Sequence, residues 1–294
     1  MVTFYRRMPK MDYFKPGSLE EVLELLRNSK NGKYRVYAGG TDVIPKLKGR
    51  VIKAPEVLVD LKGISDLDSI DFDDEKGLRI GALATVRSVE TSSIIKERYP
   101  ILSQAAGSIA SIQVRNRGTI AGNICNAVPS ADSAPALLCL DADLLCEGNA
   151  GESVIPITEF FQGPNLTVLK PNEILKEIRI PKSPKGSRGV YLKLSPRSRM
   201  DLAVVGVGVL LTKTGGAFHN VRIGLGAVAP TPVRAVEAEA MLEGSEVNDK
   251  LIADAAKRAS EEARPIDDHR ASAEYRRMMV EVLVRRAINQ CLSD

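Results

Sequence analysis

Tryptophan is absent from this chain, histidine occurs twice, and aromatic residues make up only 4% of its 294 positions. Without interleaved exposed aromatics, stacking on single-stranded nucleic acid has no carrier. The two histidines, His219 and His269, lie far apart with no partners at metal-ligand spacing, which argues against zinc, haem or an iron–sulfur cluster. Four cysteines, at 125, 139, 146 and 291, form no CxxC pair and read as reduced thiols. Any redox chemistry therefore needs an organic cofactor. Basic residues exceed acidic ones by only four, 41 against 37, too few to argue for nucleic acid or anionic lipid. Apolar runs such as residues 202–211 are far short of the roughly 18 residues of a membrane-spanning helix. Residues 1–10 lack an apolar stretch and cleavage site of the secretory kind, so the expected address is cytoplasmic, without membrane insertion.

What the sequence does contain, 44% hydrophobic and 27% charged residues, builds a sizeable core and suggests about two domains. Ser18-Leu19-Glu20-Glu21 is a capping box, followed by Leu19, Val22, Leu23 and Leu26 at helical spacing and a polar exit at residues 28–33. Strands are predicted at residues 34–38, 57–60 and 78–82, and helices at 86–97 and 101–112. Asp132 is a plausible N-cap for an apolar helix through Leu140, and Pro135 is tolerated in its first turn. A strand is expected at 143–146. Residues 181–188, rich in Pro, Gly, Ser and Lys, are the best linker and mark a boundary between domains 1–180 and 181–294. Beyond it, strands at 202–211 and 221–228 precede helices at 247–263 and 272–291. In the last helix Tyr275, Met278, Met279, Val282, Leu283 and Ala287 are expected to share the apolar face, with Arg270, Arg276, Arg277, Arg285 and Arg286 on the polar side.

Two segments offer chemistry. Val36-Tyr37-Ala38-Gly39-Gly40-Thr41-Asp42 ends a strand with two glycines and a hydroxyl, where free backbone N–H groups can approach an anionic oxygen. No lysine follows at P-loop spacing. Some 80 positions later, Thr119-Ile120-Ala121-Gly122-Asn123 reads as a second small-residue loop, preceded by Arg115 and Arg117, whose plain reading is a solvated surface. Two such loops can cradle a pyrophosphate from two sides. Gly206 and Gly208 begin like a dinucleotide fingerprint, but Leu211 occupies the third glycine position, so these glycines, like Gly224 and Gly226, read as sites of close packing or strand bending.

In order and spacing the two loops resemble those of the flavin-binding medium subunits of molybdenum hydroxylases, the family of carbon monoxide and xanthine dehydrogenase FAD subunits. The resemblance extends over the whole chain. Gln113-Val114-Arg115-Asn116, Ser130-Ala131-Asp132-Ser133-Ala134-Pro135, Glu173-Ile174-Leu175, Tyr191-Leu192-Lys193, Ala229-Pro230-Thr231-Pro232 and Arg270-Ala271-Ser272-Ala273-Glu274-Tyr275-Arg276 carry it further.

This resemblance implies an α+β chain: a vanillyl-oxidase-like FAD-binding domain of two α/β subdomains, then a C-terminal domain of antiparallel sheet plus helices. It implies that Val36, Tyr37, Ala38, Gly39, Gly40, Thr41, Asp42 and Val43, with Thr119, Ile120, Ala121, Gly122 and Asn123, hold the pyrophosphate and adenosine side of FAD. Asp132 is implied to contact the cofactor's polar linker, Leu175 the flavin, and Lys193 the neighbourhood of the isoalloxazine, with Tyr191 close to the ring. Cys125 is implied to be a packed residue. No catalytic acid or base and no metal ligand is implied in this chain. Its partners would be a molybdenum-cofactor large subunit and a small subunit with [2Fe–2S] clusters, paired as a dimer of heterotrimers, and NAD⁺, a quinone or O₂ would accept the electrons. One departure is Ala121, where the family commonly has glycine; a scaffold subunit with a degenerate flavin site therefore stays open, as does a free-standing flavin oxidoreductase.

Overall fold

The computed structural model describes residues 7–27, 33–197 and 200–293. Strand β1 (Asp12–Phe14) leads to helix α1 (Leu19–Arg27). The capping box closes as expected: Ser18 Oγ accepts from the Glu21 N–H at 3.2 Å, and the Glu21 carboxylate accepts from the Gly17 N–H at 2.9 Å. Apart from Lys33, the predicted polar exit of this helix lies outside the described residues. Strand β2 (Tyr34–Tyr37), helix α2 (Val43–Lys48) and strand β3 (Val57–Asp60) complete a parallel three-stranded sheet in the order β1-β3-β2. Val22, Leu23 and Leu26 pack with Val59 and Leu61 in a small core of their own.

Next come β4 (Ile70–Asp73) and β5 (Gly77–Gly81), then six helices: α3 (Val86–Thr91), α4 (Ser93–Arg98), α5 (Pro100–Gly107), α6 (Ile112–Arg115), α7 (Ile120–Cys125) and α8 (Ser133–Cys139). The single helix expected at 86–97 is two, because Ser92 adopts an extended conformation and its hydroxyl accepts from the Ile95 N–H, restarting the helix as an N-cap. Likewise the helix expected at 101–112 stops at Gly107. The small-residue segment at 119–123 is also not a loop: Thr119 caps α7, its Oγ1 accepting from the Gly122 N–H at 2.9 Å.

Strands β6 (Asp143–Gly148) and β7 (Gly151–Pro156), helix α9 (Ile157–Phe160), the short pair β8 (Phe161–Gly163) and β9 (Leu166–Thr167), and β10 (Glu173–Ile180) follow. They finish an antiparallel sheet ordered β4-β5-β10-β6-β7, whose inner face meets the helices in the largest core.

After residues 181–187 the chain forms β11 (Arg188–Leu194), β12 (Val205–Thr214), β13 (Ala217–Gly226) and β14 (Val233–Arg234), an antiparallel sheet in that order, then α10 (Val236–Leu242), α11 (Asp249–Glu262) and α12 (Ala273–Leu292). One face of this sheet packs against these three helices in a separate core. The register of α12 differs from the expected face. Val280, Leu283, Val284, Ala287, Ile288 and Cys291 are buried, whereas Tyr275, Met278 and Val282 are exposed. Arg276 is also buried rather than solvated, donating to the carbonyls of Val204 and Ala227 at 2.9 and 3.0 Å and to Asp268 at 2.7 Å.

The other face of the sheet is glycine-rich, and α8 lies on it. A Cβ on Gly224 would stand 2.4 Å from the Pro135 carbonyl oxygen; on Gly208, 3.0 Å from the same atom; on Gly226, 2.9 Å from the Pro135 ring. These glycines let a helix backbone rest directly on the strands. Gly224→Ala is expected to cost about 3 kcal/mol in urea unfolding, because backbone cannot step aside as a side-chain tip can. Gly17→Ala, where a Cβ meets nothing within 4 Å, serves as the near-neutral control.

Candidate functional site

A cleft of about 940 Å³ opens where the parallel sheet, the helical layer and the end of β11 converge. Its first wall is the turn after β2. A Cβ on Gly39 would fall 2.0 Å from the Arg117 carbonyl oxygen and 2.7 Å from Gly118 Cα, so this turn touches the segment before α7 backbone to backbone. Gly40 has φ +76°, the left-handed region open to glycine. Among the described residues, the N–H groups of Gly39, Gly40, Thr41, Asp42 and Val43 donate to no protein acceptor, nor does that of Ala121 in the first turn of α7. A row of free donors after β2 and the free N–H of Ala121 on α7 thus face one cleft, an arrangement that suits a pyrophosphate.

The opposite end is ionic and buried. Asp132 occupies the position before α8 but makes no capping bond; its conformation is helical, and its carboxylate turns toward the C-terminal sheet instead. There it accepts from Tyr191 Oη at 2.7 Å and Lys193 Nζ at 2.8 Å. Burial raises the Asp132 carboxyl above the usual range, against the opposing pull of the Lys193 charge and of the Lys193 and Tyr191 hydrogen bonds; burial likewise pushes the Tyr191 phenol well up. Lys193 also donates to the Ser108 carbonyl at 2.9 Å, and Arg115 Nη1 donates to the carbonyls of Ile109 and Ala110 at 2.9 and 2.8 Å. Two cations therefore hold three successive carbonyls of the turn after α5, whose Ala110 lines the cleft at φ +42°. Arg115 is consequently mostly buried and paired with Glu90, not solvated.

A second polar knot anchors the glycine turn. Asp60 accepts from both Tyr13 and Tyr37 phenols, at 2.7 and 2.8 Å, and pairs with Lys62, whose Nζ also donates to the Ala38 carbonyl at 2.9 Å. Burial raises the Asp60 pKa, but the hydrogen bonds from Lys62 and the two phenols outweigh it and bring the carboxyl down to about 2. A depressed carboxyl contributes stability above its unfolded pKa of about 4, which is lost as pH falls toward about 2. Asp60→Asn is therefore expected to lower the urea midpoint at pH 7, with the gap from wild type closing between pH 4 and pH 2. A gap independent of pH would show that the charge does not act.

Of the residues expected at the site, Val36, Tyr37, Ala38, Gly39, Gly40, Thr41, Asp42, Val43, Thr119, Ala121, Gly122, Asn123, Asp132, Leu175 and Lys193 all line this cleft. Ile120 does not: its side chain is fully buried in the core, and its backbone flanks the antiparallel bridge between Thr85 and Thr119. Ala121 sits in the first turn of α7 with its methyl packed away, and its φ is not positive, so glycine is not needed there. Asn123 is oriented by Ser133, whose hydroxyl donates to its Oδ1 at 2.6 Å. Tyr191 stands behind the cleft wall, supporting Asp132. Sequence reasoning missed Lys46, Asn126 and Asn165, which also line the cleft.

The cleft suits a dinucleotide: its volume is near the top of the range for cofactor pockets, its donors are backbone N–H groups, and the Gly39 contact admits no side chain. Residues 9–183 match the FAD binding domain in molybdopterin dehydrogenase, and residues 190–291 the CO dehydrogenase flavoprotein C-terminal domain. The carbon monoxide dehydrogenase medium chain of Hydrogenophaga pseudoflava is 34% identical over 281 residues, spanning 96% of each chain. The glyceraldehyde dehydrogenase medium chain of Sulfolobus acidocaldarius is 32% identical over 282 residues, 96% of this chain and 98% of its own. The solved structure of carbon monoxide dehydrogenase from Hydrogenophaga pseudoflava superposes with a TM-score of 0.92 at 35% identity, covering 96% of this chain and 97% of that one. With both segments matched and two donor-rich turns meeting across a cleft of dinucleotide size, the chain belongs to the FAD-binding medium subunits of the molybdenum hydroxylase family.

Proposed function

We propose that this chain is the electron-transfer subunit of a molybdenum-containing hydroxylase or dehydrogenase. Bound FAD supplies the redox chemistry, taking electrons from [2Fe–2S] clusters of a small subunit and passing them to NAD⁺, a quinone or O₂. A large subunit with the molybdenum cofactor would carry the substrate chemistry, and the complex would be a cytoplasmic dimer of heterotrimers. The observation that carries this reading is the convergence of uncommitted N–H groups from the turn after β2 and from Ala121 at one end of the cleft with a buried lysine at the other.

In this arrangement residues 36–43 and 119–123 hold the pyrophosphate and adenosine side. The N–H of Ala121 is free for the ligand, and the Thr119 hydroxyl remains a donor while it caps α7. Asp132 meets the polar linker, held in place by Tyr191. Leu175, buried next to a bulge in β10, offers an apolar contact to the ring. Lys193 provides the cation that favours negative charge on the reduced ring. The division of labour follows the chain: residues 1–180 bind the cofactor, and residues 181–294 complete its ring end.

The test is to purify the chain within its complex, identify the released cofactor by mass and follow its absorption under anaerobic reduction. One FAD per chain, bleached when substrate is given to the complex, is the expected result. Stoichiometric FAD that does not bleach would sink the relay and leave only a binding subunit.

A further inference from the structure

We propose that Lys46, Asn126 and Asn165 form a charged subsite of the cleft that binds a phosphoryl oxygen of FAD and selects the dinucleotide over flavins without phosphate. The proposal rests on the FAD reading and extends it to residues outside the two glycine turns.

Three elements meet there. Lys46 lies on α2, one helical turn beyond the row of free N–H groups; Asn126 ends α7; Asn165 sits in the tip between β8 and β9. Lys46 Nζ donates to Asn126 Oδ1 at 2.6 Å and to Asn165 Oδ1 at 3.2 Å. Asn165 is held for this contact by its own N–H, which donates to the Ala127 carbonyl at 2.8 Å, and by a left-handed backbone, φ +60°, that asparagine tolerates.

The chemistry of the corner follows from what has been used up. Both amide oxygens are engaged by the ammonium, so each asparagine presents its NH₂ group outward, and the ammonium retains one proton. Donors predominate there. The two acceptors are neutral, so they fix the lysine without cancelling its charge, in contrast to Lys193, which is paired with Asp132. A corner rich in donors and carrying a whole positive charge, next to six uncommitted N–H groups, favours an anionic oxygen over a ribose hydroxyl or a ring nitrogen. Aspartate at either position would hold the lysine better and bind the anion worse. Asparagine is the residue type that positions a cation while leaving it available.

The experiment titrates FAD, riboflavin and ADP into the flavin-free full-length chain, with melting curves as a check on folding. Lys46→Met is expected to weaken FAD about ten- to hundredfold, to weaken ADP similarly, and to leave riboflavin within about twofold, since riboflavin has no phosphate to lose; Lys46→Arg should recover most of the FAD affinity. Asn126→Asp keeps the contact to Lys46 but neutralises it, and is expected to weaken FAD at low salt while the melting temperature holds or rises. Equal losses of FAD and riboflavin in Lys46→Met, or unchanged FAD affinity in both variants, would overturn the subsite and leave a structural brace. A wild-type chain that takes ADP through Lys46 but refuses FAD overturns the cofactor reading alone; one that takes neither overturns both.

Discussion

Gly39→Ala is expected to abolish tight flavin binding while leaving the chain folded. The added Cβ would lie 2.0 Å from the Arg117 carbonyl oxygen and 2.6 Å from its carbon, both backbone atoms that cannot rotate away. The turn after β2 must then move by more than an ångström from the segment leading into α7, and its N–H donors no longer converge with that of Ala121 on one pyrophosphate. Losing two charge-assisted hydrogen bonds corresponds to at least a hundredfold weaker affinity. Stability changes less, because the contact lies at the open edge of the cleft, between half-buried turns. Titration of FAD followed by quenching of its fluorescence, beside urea unfolding of the same variant, separates the two effects. Affinity within threefold of wild type would mean that the two turns do not share a ligand.

The second large effect concerns the buried pair. Lys193→Met leaves the Asp132 carboxylate enclosed with only the Tyr191 phenol for company, and removing one partner of such a pair costs about 3–5 kcal/mol. The double variant Asp132→Asn/Lys193→Met removes the stranded charge and keeps an acceptor for Tyr191, so it is expected to regain most of that loss. The cost of the single variant should also shrink as pH falls, because the raised Asp132 carboxyl takes up a proton more readily once its counter-charge has gone. Neither variant is expected to restore the preference for a negatively charged reduced ring, so the flavin potential should shift negative in both. Thermal melts and an anaerobic redox titration report the two properties separately. A double variant no more stable than Lys193→Met would show that the cost arises from lost packing.

Much of the site was legible because its signals are local. Gly39 and Gly40 at the end of an alternating strand, and the small-residue run from Thr119 to Asn123, are short-range patterns visible in the sequence. Helix α7 reads as a loop in the sequence because Gly122 and Asn123 are weak helix formers; Thr119 as a cap, with Ile120 and Ile124 four apart, is the sign that points to a helix. The face of α12 was misassigned because its apolar residues run nearly all the way round, so spacing alone does not choose between Met278 and Val280. The pairing of Asp132 with Tyr191 and Lys193 spans 59 and 61 positions and two sheets, and no periodicity encodes it. The glycines at 208, 224 and 226 read in the sequence as sites of close packing or strand bending, and only the fold, which sets the proline-containing turn of α8 against them, decides for packing.

The placement of Asp132 on one half of the chain and of its two partners on the other sets an order of events during synthesis. Both glycine turns and Asp132 emerge from the ribosome before β11 does, so for part of synthesis the carboxylate at the cleft floor has neither Tyr191 nor Lys193 to receive it. Docking of α8 on Gly208, Gly224 and Gly226 waits for the same strands. The pyrophosphate end can therefore form early, whereas the ring end is finished only when the C-terminal sheet closes on it, which makes flavin capture a late step of maturation.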